Sequence, residues 1–156
     1  MKYYLLLIFI FLFISCDGGL EPPPQSFLKG KVTFVGGVDS WPSQDSVNTM
    51  RIVAFLKAEP TNIVEEVLNN RVYFLEIPSF VDEYYFELLI PNPPQDLNYI
   101  AVAWQFSDSF FDQLAAGVYT ESGDNTKPSS VQIEFGKDSE IEIFVDFNNL
   151  PPQPFE

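Results

Sequence analysis

Residues 98–106 read NYIAVAWQF. Ile100, Val102, Trp104 and Phe106 recur at a period of two, with Ala101 and Ala103 between them. A β-strand imposes this pattern, because successive side chains point to opposite faces of a sheet. The bulky row predicts the side turned inward, and the alanines a small surface behind it. This is the strongest strand signal in the chain, and it predicts a central strand.

Toward the N-terminus, residues 83–90 alternate again, with Tyr84, Phe86, Leu88 and Ile90 on one side. Pro91-Asn92-Pro93-Pro94 then forces a turn. Residues 71–77 are a weaker strand. Before them, Asn62 stands where a helix cap belongs, with Glu65 three residues on as its capping-box partner. Ile63, Val64, Val67 and Leu68 form an apolar stripe against Glu65 and Glu66. A short helix near 62–69 is expected, bridging strands at an end or edge of the fold. MRIVAFLK, residues 50–57, is apolar on both faces at its centre, as an interior strand requires. In residues 27–35, Leu28, Gly30, Val32 and Phe34 oppose Lys29, Lys31 and Thr33. Gly36-Gly37 ends that strand, and a polar loop, 38–46, carries Trp41-Pro42.

Toward the C-terminus, residues 107–116 are expected to form an irregular or one-turn helical insert, 117–120 a short strand and 121–129 a turn-rich loop. Val131, Ile133 and Phe135 alternate with Gln132 and Glu134, and Gly136-Lys137-Asp138 predicts a hairpin to the next strand. Ile141, Ile143, Val145 and Phe147 form the last inward row. The proline-rich tail, 148–156, is expected along the surface. Short connections and one minor helix predict an all-β fold, a seven- to eight-stranded antiparallel β-sandwich over residues 27–147. Its core is expected from Val32, Ile52, Phe86, Val102, Trp104, Ile133 and Ile143.

Three segments carry a resemblance: Lys29-Gly30-Lys31-Val32, Tyr85-Phe86-Glu87-Leu88 before the proline turn, and Asn98-Tyr99-Ile100-Ala101-Val102-Ala103. Their order resembles the transthyretin-like group, in particular carboxypeptidase regulatory-like domains. An immunoglobulin-like sandwich is the neighbouring alternative. The resemblance implies a non-catalytic adhesive or scaffolding module.

The chain opens MKYYLLLIFIFLFISC. The apolar run from Leu5 to Ile14 is too short for a hydrocarbon core, which takes roughly 20 helical residues, but has the length of a secretory h-region. Cys16 is the chain's single cysteine. Phe13-Ile14-Ser15-Cys16 resembles a bacterial lipobox, with Phe where Leu is usual. The resemblance implies cleavage before Cys16, a diacylglyceryl group on its thiol and acylation of the new amine. Two or more acyl chains give a stable anchor where one gives a marginal one. Residues 1–15 are thus expected to be a lipoprotein signal peptide, and 16–26 a lipidated cysteine with a tether. Pro22-Pro23-Pro24 stiffens that tether toward polyproline II. The expected location is the bacterial cell envelope, lipid-anchored at the outer membrane.

Composition narrows function by exclusion. There is no histidine, which removes the commonest metal ligand, the Ser-His-Asp arrangement and the commonest general base. A lipidated Cys16 leaves no thiol nucleophile. The formal net charge of −14 opposes binding to nucleic acid. Carboxylates at Asp82-Glu83, Asp108 with Asp112, and Asp124 are loop candidates for glycoside hydrolysis, yet no motif selects two of the 22 acids. Ser122-Gly123-Asp124-Asn125, or Ser107-Asp108 with Asp112, supplies oxygen ligands without the dense alternation and terminal glutamate of a calcium loop. No enzyme, cofactor or metal site is expected. The chain holds 16 Phe, 7 Tyr and 2 Trp. Trp41, Phe110, Phe111 and Tyr119 fall in loops or short segments, and Trp41, Phe110 and Phe111 are the candidates for partner contact. Two functions are expected: a structural or protein-interaction lipoprotein engaging an envelope protein, or a carbohydrate-binding lipoprotein that stacks a glycan on loop aromatics.

Overall fold

In the computed structural model, which describes residues 25–60 and 62–154, nine strands pair into two facing sheets and a small ribbon. They run in chain order as β1 (Ser26–Phe34), β2 (Thr49–Phe55), β3 (Val72–Ile77), β4 (Glu83–Ile90), β5 (Gln95–Leu97), β6 (Tyr99–Gln105), β7 (Gln113–Val118), β8 (Val131–Ile133) and β9 (Ser139–Val145). Among the described residues a single α-helix, α1 (Ile63–Leu68), joins β2 to β3, and two 3-10 turns precede β2. One sheet has the order β4-β1-β9, the other β3-β2-β6-β7, and β5 pairs with β8. The fold is an all-β sandwich.

The inward rows meet between the sheets. Leu28, Val32, Phe34, Ile52, Phe86, Leu88, Ile90, Ile100, Val102, Ile133, Ile141, Ile143 and Val145 are buried in one cluster, and Trp104 packs partly buried against it. One end is plugged by aromatics. Trp41 lies 4.4 Å from Phe34 and 5.0 Å from both Phe80 and Phe147, and Trp104 lies 5.6 Å from Phe147. Both indole N–H groups are satisfied, Trp41 donating to the Val81 carbonyl and Trp104 to that of Ser46, as buried tryptophans require.

β2 and β6 are apolar on both faces because the outer face of their sheet is covered too. Val53, Phe55, Val72, Tyr99, Ala101 and Val118 make a second cluster, with Ile63 of α1 packed on it. α1 differs from the expected stripe. Asn62 caps it, its side chain accepting from the Val64 and Glu65 amides. Yet the fully buried helical residue is Glu66, whereas Leu68 is 76% exposed. Arg71 and Lys57 reach Glu66 and supply the charge that lets a carboxylate replace the apolar stripe. Arg71 also engages the Glu65 carboxylate.

Four other expectations change. β9 runs parallel to β1, pairing Leu28 with Ser139 through Phe34 with Val145, within an otherwise antiparallel sandwich. The turn after β8 therefore closes no hairpin ladder, because β8 pairs with β5, three residues hidden behind the proline turn. Ser26 holds that turn against β1: its hydroxyl donates to the Glu134 carbonyl and accepts from the Gly136 amide. The 107–116 insert shortens to a loop, 106–112, since Gln113–Val118 pairs with β6 across a bulge at Val102/Ala103. Phe106 and Phe135, expected inward, are 39% and 57% exposed, each lying just past its strand's end. As far as Pro154, the tail is tied to β7. The Gln153 amide accepts from the Ala115 N–H at 2.7 Å and donates to its carbonyl at 3.1 Å, and Pro151 is buried.

Candidate interaction surface

Cys16, the expected lipid site, lies outside the described residues. Of the three aromatics expected to meet a partner, Trp41 is in the core. The 3-10 turn of Gly37–Ser40 folds its ring back between Phe34, Phe80 and Phe147. That correction removes Trp41 from any binding platform.

Phe110 and Phe111 are placed differently. They sit on loop 106–112, 41% and 73% exposed, with rings near-perpendicular at 6.4 Å. Short polar side chains wire this loop together. The Ser107 hydroxyl donates to Asp112 at 2.6 Å and accepts from the Ser109 amide, and the Phe106 amide donates to the Asp112 carbonyl. The Gln113 amide nitrogen donates to the Phe110 carbonyl, and Asn48 donates to Asp108 at 2.9 Å. Loop backbone bonded this densely presents its side chains with little entropy left to lose on binding. The loop follows the end of β6 beside Trp104, whose aromatic plug also holds Phe34. It therefore lies at the end where β1 finishes, opposite Ser26, where the chain enters the sandwich.

Phe110 does not stand alone. A groove on the outer face of the β3-β2-β6-β7 sheet is lined by Val53, Val72 and Phe74 from strands, Ile63 and Val67 from α1, and Phe110 with Gln113. Arg51 supplies its one charged residue, already hydrogen-bonded to Gln105 at 2.8 Å. A narrower recess shares Val53, Ile63 and Gln113 and reaches Tyr99. The Tyr99 hydroxyl is buried without a hydrogen-bond partner, and burial pushes its pKa up to about 12, so it stays protonated. The groove escaped the sequence reading because its residues belong to four separate segments. The available signal was β3 itself, where Val72 and Phe74 share the face opposite Tyr73 and Leu75.

The candidate acids are engaged locally. Asp124 accepts from the Thr126 amide and hydroxyl and pairs with Lys127 at 2.9 Å, which together lower its pKa to about 2. Asp82 accepts from the Val38 amide. Among the described residues no three His, Cys, Asp or Glu side chains converge on a metal-sized site, and no helix is long and apolar enough to cross a membrane. Compared with known proteins, the chain matches no family model, no curated protein and no solved structure.

Proposed function

We propose that this chain is a lipid-anchored protein of the bacterial cell envelope, held at the outer membrane through Cys16. Its β-sandwich acts as a non-catalytic interaction module for an envelope protein. One observation carries the interaction reading: a hydrogen-bonded loop displays Phe110 and Phe111 beside an apolar groove, away from the end that follows the tether. An exposed apolar patch of this kind marks a contact site more often than chance. The carbohydrate alternative is weaker. Sugar recognition needs uncommitted polar groups beside the ring, whereas the groove's polar residues, Arg51 and Gln113, already bond Gln105 and the Phe110 carbonyl, and Trp41 is unavailable to it.

On the fold family, the transthyretin-like resemblance is favoured over the immunoglobulin-like one. An immunoglobulin sandwich keeps its first two strands in one sheet, and here β1 and β2 lie in opposite sheets.

Two experiments test the reading. Cys16→Ser should abolish labelling by a fatty-acid analogue and release the protein from membranes, and labelling unchanged in that variant would end the anchor proposal. Phe111→Ser should lose partner proteins crosslinked to the wild type in cells while keeping its melting temperature. An identical crosslinking profile would remove the loop from the function.

A further inference from the structure

A sandwich built from two open sheets has four strand edges to protect, since unpaired N–H and C=O groups template pairing with another chain. Three of the four carry a device. The β7 edge is occupied by the Gln153 amide, bonded to both backbone groups of Ala115. β9 is abutted by β7, so closely that a Cβ on Gly117 would lie 2.5 Å from the Phe144 carbonyl oxygen. β4 carries Glu83 and Glu87. The Phe34 amide donates to the carbonyl of Asp82, just before β4, and with the β1 register this leaves the backbone of Glu83, Tyr85 and Glu87 facing outward.

β3 is the least protected: α1 packs beside Val72 at its start, and Glu76 is its single acid. The Leu56 amide donates to the Arg71 carbonyl, and the register continues Ala54 with Tyr73 and Ile52 with Leu75. Bonded positions alternate along an antiparallel pair, so Val72, Phe74 and Glu76 aim their backbone groups away from β2. No hydrogen bond from a described residue reaches those groups. The segment VYFLEI holds no Lys, Pro or bulge. Its outward Phe74 is 57% exposed.

We propose that two copies of this chain pair through β3, antiparallel about a two-fold axis at Phe74, merging their four-stranded sheets into one. Charge selects the strand, and Pro78 the register. About Phe74, Val72 of one copy faces Glu76 of the other, Tyr73 faces Leu75, and the two Phe74 rings form a cross-strand aromatic pair. A shift to an axis at Leu75 would set Pro78, which has no N–H, opposite Val72 and lose a ladder bond. The same operation on β4 fails: an axis at Tyr85 puts Glu83 against Glu87, and like charges directly opposite are destabilising. A second copy is the occupant favoured over a foreign strand because β3 complements itself without leaving any charge opposed by its like. The inference goes beyond the loop reading and needs neither the lipid nor Phe110 and Phe111.

Disulfide trapping on the full chain in membranes tests it. At the axis the paired Cα atoms lie about 5.5 Å apart, within disulfide reach, whereas position 76 lies about 13 Å from its own copy. Phe74→Cys should give a crosslinked dimer under mild oxidation and Glu76→Cys should not, with peptide mapping to separate a link at 74 from one through Cys16. Sedimentation of the purified full chain in detergent should show a dimer for the wild type and its loss in Phe74→Lys, with an unchanged far-UV circular-dichroism spectrum. A monomeric wild type, a dimeric Phe74→Lys, or equal crosslinking at 74 and 76 would each overturn the proposal.

Discussion

Arg71 grips Glu66 with two hydrogen bonds, from Nε to Oε2 at 2.8 Å and from Nη2 to Oε1 at 3.1 Å, on a carboxylate that is fully buried. Lys57 adds a contact to Oε1 at 3.2 Å from a more exposed position. A six-residue helix too short to hold itself together is thereby fastened to the edge of the sheet. Removing the main cation from a buried carboxylate costs at most about 3–5 kcal/mol, and less where a second cation remains, as Lys57 does here. Arg71→Ala should lose stability up to that order in urea titrations, and Lys57→Ala distinctly less, since both carboxylate oxygens keep Arg71.

The same contact sets an acid limit. The Arg71 hydrogen bonds, opposed by burial and helped by Lys57, hold the Glu66 carboxyl below its ordinary value. A folded-state pKa lower than the unfolded one stabilises the fold above the unfolded value, about 4.3 for Glu. That stability is lost as pH falls through the folded value. Urea midpoints should therefore drop as pH falls below about 4, with a shallower slope in Glu66→Gln. Parallel pH profiles for the two proteins would show that the pair does not govern acid unfolding.

Tyr99→Phe should stabilise the protein by about 1 kcal/mol, because it deletes a buried hydroxyl without a partner and keeps the ring. Thermal melts of the two proteins decide this. A lower melting temperature in the variant would mean that the hydroxyl is engaged in solution.

Trp41 and Phe111 divide two residues that composition alone treats alike. Trp41→Ala removes a buried ring from a three-aromatic cage and should cost about 3–5 kcal/mol. Phe111→Ala trims a ring that is 73% exposed and should stay within about 0.5 kcal/mol of the wild type. Equal losses by chemical denaturation would place both rings in the core.

The period-two rows of residues 27–35, 83–90 and 141–147 were legible in the chain because alternation is a local consequence of backbone geometry. The sequence alone also contained the apolar interior strands β2 and β6 and the Asn62 cap, since each depends on neighbours within a few positions. Only tertiary structure decided the rest. β9 joins β1 in parallel beside a turn that Ser26 binds from more than 100 residues away, contacts with no local signature. That Trp41 is core and Glu66 is buried depends on Phe147 and Val81 for the one and on Lys57 and Arg71 for the other. Polarity patterns assign a face to each side chain, but the distant partners that complete its environment are chosen by packing. Edge status is of the same kind: whether VYFLEI is sheltered or open is settled by which strands lie beside it, and β2 lies on only one side.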